Sequence, residues 1–157
     1  MMVARISAAE QHWRMTDLSL PDLAATEAFA QRLAALARPA DAILLQGPLG
    51  AGKSALARAF LRAASGNPEL EVPSPSYTLV QTYQTRLGPV HHLDLWRLAG
   101  EEGVLELGWD ELVQDIVLVE WPERLGRLLP GGALDISIRI DKGEARVATV
   151  TGWEDRL

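Results

Sequence analysis

Eight consecutive residues, Gly47-Pro48-Leu49-Gly50-Ala51-Gly52-Lys53-Ser54, leave this chain few ways to fold. They satisfy the pattern G-x-x-x-x-G-K-[ST] at each required position. Just before them stands Ile43-Leu44-Leu45, an apolar run without a polar face, which reads as a strand buried on both sides. Just after them, Ser54 to Ala64 holds mostly good helix formers, with Arg58 and Arg62 on a wet face and Leu56, Phe60 and Leu61 available to a core. Strand, glycine loop and helix together make a phosphate cradle. The glycines let the loop amides point inward at phosphate oxygens, and the dipole at the helix start favours the same anion. On this reading residues 47–54 bind the phosphates, Lys53 adds a point charge for the β and γ groups, and the Ser54 hydroxyl is placed to coordinate a bridging magnesium. A glycine-rich turn that binds nothing is the bland alternative, and the flanking strand and helix weigh against it.

The remaining elements fit around that unit. Ser19-Leu20-Pro21-Asp22 has capping-box spacing and predicts a helix starting there, with Ser19 as the cap. Thr26, Phe29, Leu33 and Leu36 supply its apolar stripe, and Arg38-Pro39 ends it. Gly66 and Pro68 end the helix after the glycine loop, and Glu69 to Thr78 reads as an irregular loop. Extended segments are predicted over Leu79 to Thr85 and Val90 to Trp96, joined by a hairpin around Leu87-Gly88-Pro89. A short helix near Glu101 to Val113 and a strand Ile116 to Val119 follow. The alternation of Leu134, Ile136, Ile138 and Ile140, then a Lys142-Gly143 turn into Arg146 to Thr151, predicts an antiparallel pair. The expected fold class is α/β: a P-loop NTPase-like three-layer sandwich, its mixed, largely parallel central sheet flanked by an antiparallel C-terminal pair.

Bulk properties narrow the function classes. At 157 residues and 48% hydrophobic content, one domain over 1–157 with its own core is expected. The absence of cysteine excludes disulfides, thiolate nucleophiles and Cys-based zinc sites, and suits a reducing interior. Met1 to Leu20 mixes Arg5, Glu10, Arg14 and Asp17 among short apolar pieces, unlike a signal peptide, so a cytoplasmic protein outside the membrane is expected. With a net charge of −6 the chain is a poor partner for nucleic acid on its own.

A P-loop needs a further acidic group for magnesium or its waters. Ile116-Val117-Leu118-Val119-Glu120 ends an apolar strand on such a group, with glutamate where aspartate is usual. Its alternative is a solvated strand-end carboxylate. Along Val90 to Trp96 strand alternation places His92, Asp94 and Trp96 on one face, which makes Asp94 a candidate for the magnesium or water network. With three histidines and no cysteine, a zinc site is disfavoured, and a structural or hydrogen-bonded histidine is the ordinary reading. Trp121, beside Glu120, is a candidate nucleotide contact against the commoner half-buried indole. In Ser74-Pro75-Ser76-Tyr77-Thr78, Ser76 or Thr78 could supply a hydroxyl to a loop ordered by γ-phosphate, and a proline-stiffened turn is the alternative.

The glycine loop together with SPSYTLV, HLDLWRL and VEWPERL, in that order and spacing, resembles the bacterial TsaE (YjeE) family over nearly the whole chain. That resemblance implies a monomer-sized P-loop ATPase of tRNA threonylcarbamoyladenosine modification, weakly active with ATP and Mg2+. Its implied partners are the TsaB and TsaD subunits of the transferase complex, with tRNA reached only through them. It also implies phosphate and magnesium roles for Lys53 and Ser54, a magnesium-associated acid at Glu120, a required aspartate at Asp94 and a tryptophan near the nucleotide at Trp121. Three residues depart from the family pattern: Pro48 for aspartate, Ser76 for threonine and Trp96 for tyrosine. Pro48 also removes a loop amide. The preference for ATP is carried by the resemblance, alongside the absence of an N-K-x-D guanine pattern.

Two other functions share the loop. A small-molecule kinase would close an arginine-bearing lid over the phosphates, whereas Arg86, Arg97, Arg124 and Arg127 are scattered with no lid insertion. A non-catalytic module would use nucleotide state to switch a protein interface through Ser74 to Thr78.

Overall fold

In the structure, a computed structural model that describes residues 15–157, the chain runs β1 (Met15–Leu20), α1 (Leu23–Leu36), β2 (Ala42–Gln46), α2 (Lys53–Ser65), β3 (Val80–Thr85) and β4 (Gly88–Asp94). It continues through α3 (Glu101–Glu106), α4 (Trp109–Leu112), β5 (Ile116–Glu120), a 3-10 segment (Pro122–Leu128), β6 (Leu134–Ile140) and β7 (Arg146–Thr151). The part of the signal-peptide expectation that concerns residues 1–14 lies outside the described residues. Among the described residues, no helix is long and apolar enough to cross a membrane.

The described strands form one sheet in the order β1-β7-β6-β2-β5-β4-β3. The four central strands β6, β2, β5 and β4 are parallel, and the margins are antiparallel: β7 and β1 beyond β6, and β3 beyond β4. The apolar runs of β2 and β5 are buried on both faces, as parallel central strands require. Ile43, Leu45, Ile116 and Leu118 turn to one side, where Phe29 and Leu33 of α1 and Leu56, Phe60 and Leu61 of α2 cover them. Leu44, Val117, Val119 and Leu93 turn to the other, against Val104, Trp109 and Leu125. The result is a mixed-sheet α/β sandwich, with helical layers on both faces.

Register fixes where a site can form. Leu45 pairs with Glu120, and Asp94 with Glu120, so the carboxyl ends of β2, β5 and β4 lie side by side. Open parallel sheets bind ligands at such ends.

Local departures from the sequence expectation have local causes. Ser19 is not a cap: it lies in β1 opposite Val147, and Asp22 caps α1 by accepting from the Ala25 amide at 2.9 Å. Pairing with β7 claims the serine, and the aspartate after the proline takes the cap. The β3–β4 turn is Arg86-Leu87, with Thr85 paired to Gly88. The Thr85 hydroxyl closes it, accepting from the Leu87 amide at 3.0 Å and donating to the Gly88 carbonyl at 2.8 Å. The expected helix over Glu101 to Val113 is two short ones, split where Gly108 takes φ 85°. Ile140 is exposed despite its place in the alternation. The β2–β6 pairing ends at Gln46 opposite Ser137, so Ile140 has run past it.

Candidate functional site

The glycine loop leaves β2 under tight steric control. Gly47 has φ 145°, and a Cβ there would overlap the Ile138 carbonyl oxygen of β6. The Ala51 amide donates to the Pro48 carbonyl at 3.1 Å, and Gly52, at φ 108°, starts α2. No side chain caps this helix start. Its first-turn amides are therefore left without a side-chain acceptor, as an anion site requires. Lys53 is buried and its Nζ donates to the Gly47 carbonyl at 2.5 Å. Burial pulls its ammonium below the ordinary lysine value, while the charges of Glu120, Glu123 and Asp94 pull it back up.

Two further polar contacts flank the loop. Arg146, at the start of β7, donates to the carbonyls of Ala51 at 3.1 Å and Gly50 at 3.3 Å, while its other nitrogen reaches Gly143 and Ala145 in the hairpin turn. Gln46 donates to both carboxyl oxygens of Asp135, at 2.8 and 2.7 Å. Burial raises the Asp135 carboxyl above its usual value, and the Gln46 bond opposes that shift.

Facing the loop is a wall of side chains from β4 and β5. His92, Asp94 and Glu120 are all buried. Pairing of His92 with Leu118 and Asp94 with Glu120 turns all three toward the α2 side, the face that Leu118 also occupies. Glu120 Oε1 accepts from Ser54 Oγ at 3.2 Å, and Oε2 meets His92 Nε2 at 2.7 Å. Asp94 Oδ2 accepts from Ser76 Oγ at 3.1 Å, and Oδ1 from the Trp96 amide at 3.1 Å. Ser74 and Ser76 hydroxyls lie 2.8 Å apart.

Aromatic rings close one side. Trp121, in a left-handed conformation at φ 60°, places its ring 3.9 Å from Lys53 Nζ. Trp96 packs on it at 4.4 Å between centroids. Arg97 lies over the exposed Tyr77 ring at 4.3 Å.

The structure thus gathers Lys53, Ser54, Glu120 and Trp121 into one contact chain, with Asp94 and Ser76 alongside in adjoining register. Pro48, Leu49 and Gly50 form the exposed rim of the loop. Thr78 stands apart: its hydroxyl accepts from Gln81 at 3.0 Å at the entry to β3. Sequence reasoning placed His92 beside Asp94 but missed its contact with Glu120. It also missed Arg146 and Gln46. A glutamine ending an otherwise apolar strand is a legible oddity, whereas Arg146 gives no local signal.

The donor set fits a magnesium-bound phosphate chain. It offers uncapped helix amides, a buried ammonium, and a hydroxyl touching a carboxylate. Among the described residues no three acidic or histidine side chains converge as an all-protein metal cage would. Magnesium does not ask for one, since it is commonly held by one or two protein groups plus phosphates and water.

The family model described as "Threonylcarbamoyl adenosine biosynthesis protein TsaE" matches residues 20–148. Several curated relatives carry the description tRNA threonylcarbamoyladenosine biosynthesis protein TsaE. One from Bacillus subtilis is 34% identical over 133 residues, covering 83% of this chain and 82% of the relative. One from Rickettsia bellii is 32% identical over 127 residues, covering 80% and 88%. A Synechocystis relative is 40% identical over 114 residues, covering 69% and 71%. Among solved structures, the crystal structure of Bacillus subtilis YdiB superposes with a TM-score of 0.72 at 28% identity, over 88% of this chain and 86% of that one.

Proposed function

The chain belongs to the TsaE family of tRNA threonylcarbamoyladenosine biosynthesis, and from that premise we propose that it binds magnesium-ATP in residues 47–54 and hydrolyses it slowly. The hydrolysis serves the TsaB and TsaD proteins, which place threonylcarbamoyl on the adenosine beside the anticodon. The supporting observation is the 3.2 Å contact between Ser54 of the loop and Glu120 at the end of β5, which brings hydroxyl and carboxylate together where metal-bound phosphate would lie.

Each residue then has a role that its surroundings support. Loop and α2 amides bind phosphate oxygens, and Lys53, desolvated and held by a carbonyl, gains a stronger partner in a phosphate anion. Ser54 and Glu120 would hold a magnesium ion brought by the nucleotide, directly or through its waters, and the ion would supply charge neutralisation to the phosphates. Asp94, fixed by Ser76 and the Trp96 amide, orients the attacking water and accepts its proton. Trp121 keeps bulk water from Lys53. The net charge of −6 supports contact with tRNA through partners.

The test is phosphate release from magnesium-ATP by the protein alone and with TsaB and TsaD, beside Lys53→Ala and Glu120→Ala. Low turnover that rises with partners and disappears in both variants is expected; undiminished turnover in Lys53→Ala would overturn the reading. A second reading, a nucleotide-gated interaction module, draws on the Ser76–Asp94 bond, which ties the 74–78 loop to the same wall. ATP binding without turnover, partners present, would select it.

A further inference from the structure

We infer that His92 is a positioning residue whose imidazole sets which Glu120 oxygen faces the phosphate loop, and that magnesium affinity depends on it. The inference rests on the reading of Glu120 as the magnesium-associated acid.

His92 is 1% exposed and Glu120 3%. An ionised carboxylate only accepts, so the 2.7 Å contact requires His92 Nε2 to donate to Oε2. The two oxygens are thereby divided. Oε2 is pinned from behind by the ring, and Oε1 is left toward Ser54. Among the described residues, His92 is the one side chain that donates to Oε2, and neither lysine nor arginine forms an ion pair with Glu120. Without the ring, a buried carboxylate facing Lys53 would turn toward the ammonium, since desolvated charges seek partners.

A purely structural histidine would be arranged differently. Nδ1 of His92 is buried and, among the described residues, has no hydrogen-bond partner. Packing alone would favour an apolar side chain, which leaves no orphan nitrogen in the interior. The neighbouring His91 shows the ordinary arrangement, with both ring nitrogens engaged: Nδ1 to Thr82 at 2.8 Å and Nε2 to Asp115 at 2.9 Å. His92 commits one nitrogen to Glu120 and leaves the other unmatched. Partners one step behind a metal ligand commonly change metal affinity by about 10–100-fold when removed.

The experiment is calorimetric titration of ATP into the full-length protein at graded free magnesium and in EDTA, for the wild type, His92→Leu and His92→Gln, with thermal unfolding of each. The Gln amide can donate to the same oxygen, and Leu cannot. The expected result is a rise of about tenfold or more in half-saturating magnesium for His92→Leu, with ATP binding in EDTA unchanged. His92→Gln should stay within about threefold of the wild type, since it restores the donor. Should the leucine variant fail to fold, His92→Met, unbranched and adaptable, replaces it. Wild-type magnesium dependence in the apolar variant overturns the inference and leaves the functional reading intact. Equal loss in folded His92→Gln also overturns it, since the ring would then act through its shape. Wild-type protein that binds ATP equally with and without magnesium overturns the reading of Glu120 and this inference with it.

Discussion

The two sides of the site are built by different means. The glycine loop is held largely by main-chain groups: left-handed glycines, carbonyls gripped by Arg146 and Lys53, and a helix start without a side-chain cap. The facing wall is held mainly by side chains, through the chain Ser54–Glu120–His92 and the pair Ser76–Asp94, with one main-chain bond from the Trp96 amide to Asp94. The difference teaches where tolerance lies. A loop defined by backbone conformation fails when a Cβ or a brace changes, whereas a wall defined by polar side chains can lose a member and stay folded.

That contrast breaks most visibly at Gly47. Gly47→Ala adds a Cβ against the Ile138 carbonyl at a left-handed position and is expected to cost about 3 kcal/mol or more, read as a shift in denaturation midpoint. Glu120→Gln on the facing wall should shift the same midpoint by about 1 kcal/mol or less. A tolerant Gly47 would erase the distinction.

Lys53→Ala follows, with an expected loss of about a hundredfold in turnover, the scale of removing one preorganised donor. It also carries a sign. Because burial lowers the Lys53 pKa in the folded protein, the folded state releases that proton more readily than the unfolded state. Below the folded pKa the buried charge costs stability in full, and the cost fades as pH rises from there toward the ordinary lysine value of 10.5. Denaturation of wild type and variant at neutral and alkaline pH should therefore show the wild type gaining on Lys53→Ala as pH rises; a falling difference would contradict the burial of the ammonium.

Arg146→Ala removes donors from the Gly50 and Ala51 carbonyls and is expected to weaken ATP binding by about fivefold, the worth of about 1 kcal/mol. Calorimetry at fixed magnesium measures it, and unchanged affinity would mean that the glycines hold the loop unaided. The smallest effect is expected for Ser76→Ala, which removes one bond to Asp94 worth about 1 kcal/mol or less. Turnover should drop less than about fivefold while magnesium dependence stays put. A shift in magnesium dependence would merge Asp94 and Glu120 into one unit.

Legibility in the sequence followed separation along the chain. The strand, loop and helix around Gly47 are contiguous, so periodicity and glycine spacing locate them directly. Glu120 is legible because it ends an apolar run, and Asp94 because strand alternation predicts its face. What joins them is register: Asp94 stands beside Glu120 only because β4 pairs with β5, and no single segment encodes that. The Arg146 brace spans 95 positions and leaves no periodic trace. β1 was missed because it is a mostly exposed edge strand with little apolar patterning, and Ser19-Leu20-Pro21-Asp22 offered a competing helix start. Tertiary pairing overrode local spacing there, while at the glycine loop the two agreed.

The indole against Lys53 makes the site visible to light. Trp121 lies 3.9 Å from the cation and packs on Trp96 at 4.4 Å between centroids, so movement of that ammonium is expected to change the emission of this pair. Trp109 and Trp153 sit in the two cores, 3% and 4% exposed, and report on unfolding instead. Among the described residues, the four indoles divide into two optical channels, one beside the glycine loop and one in the cores, without a label attached.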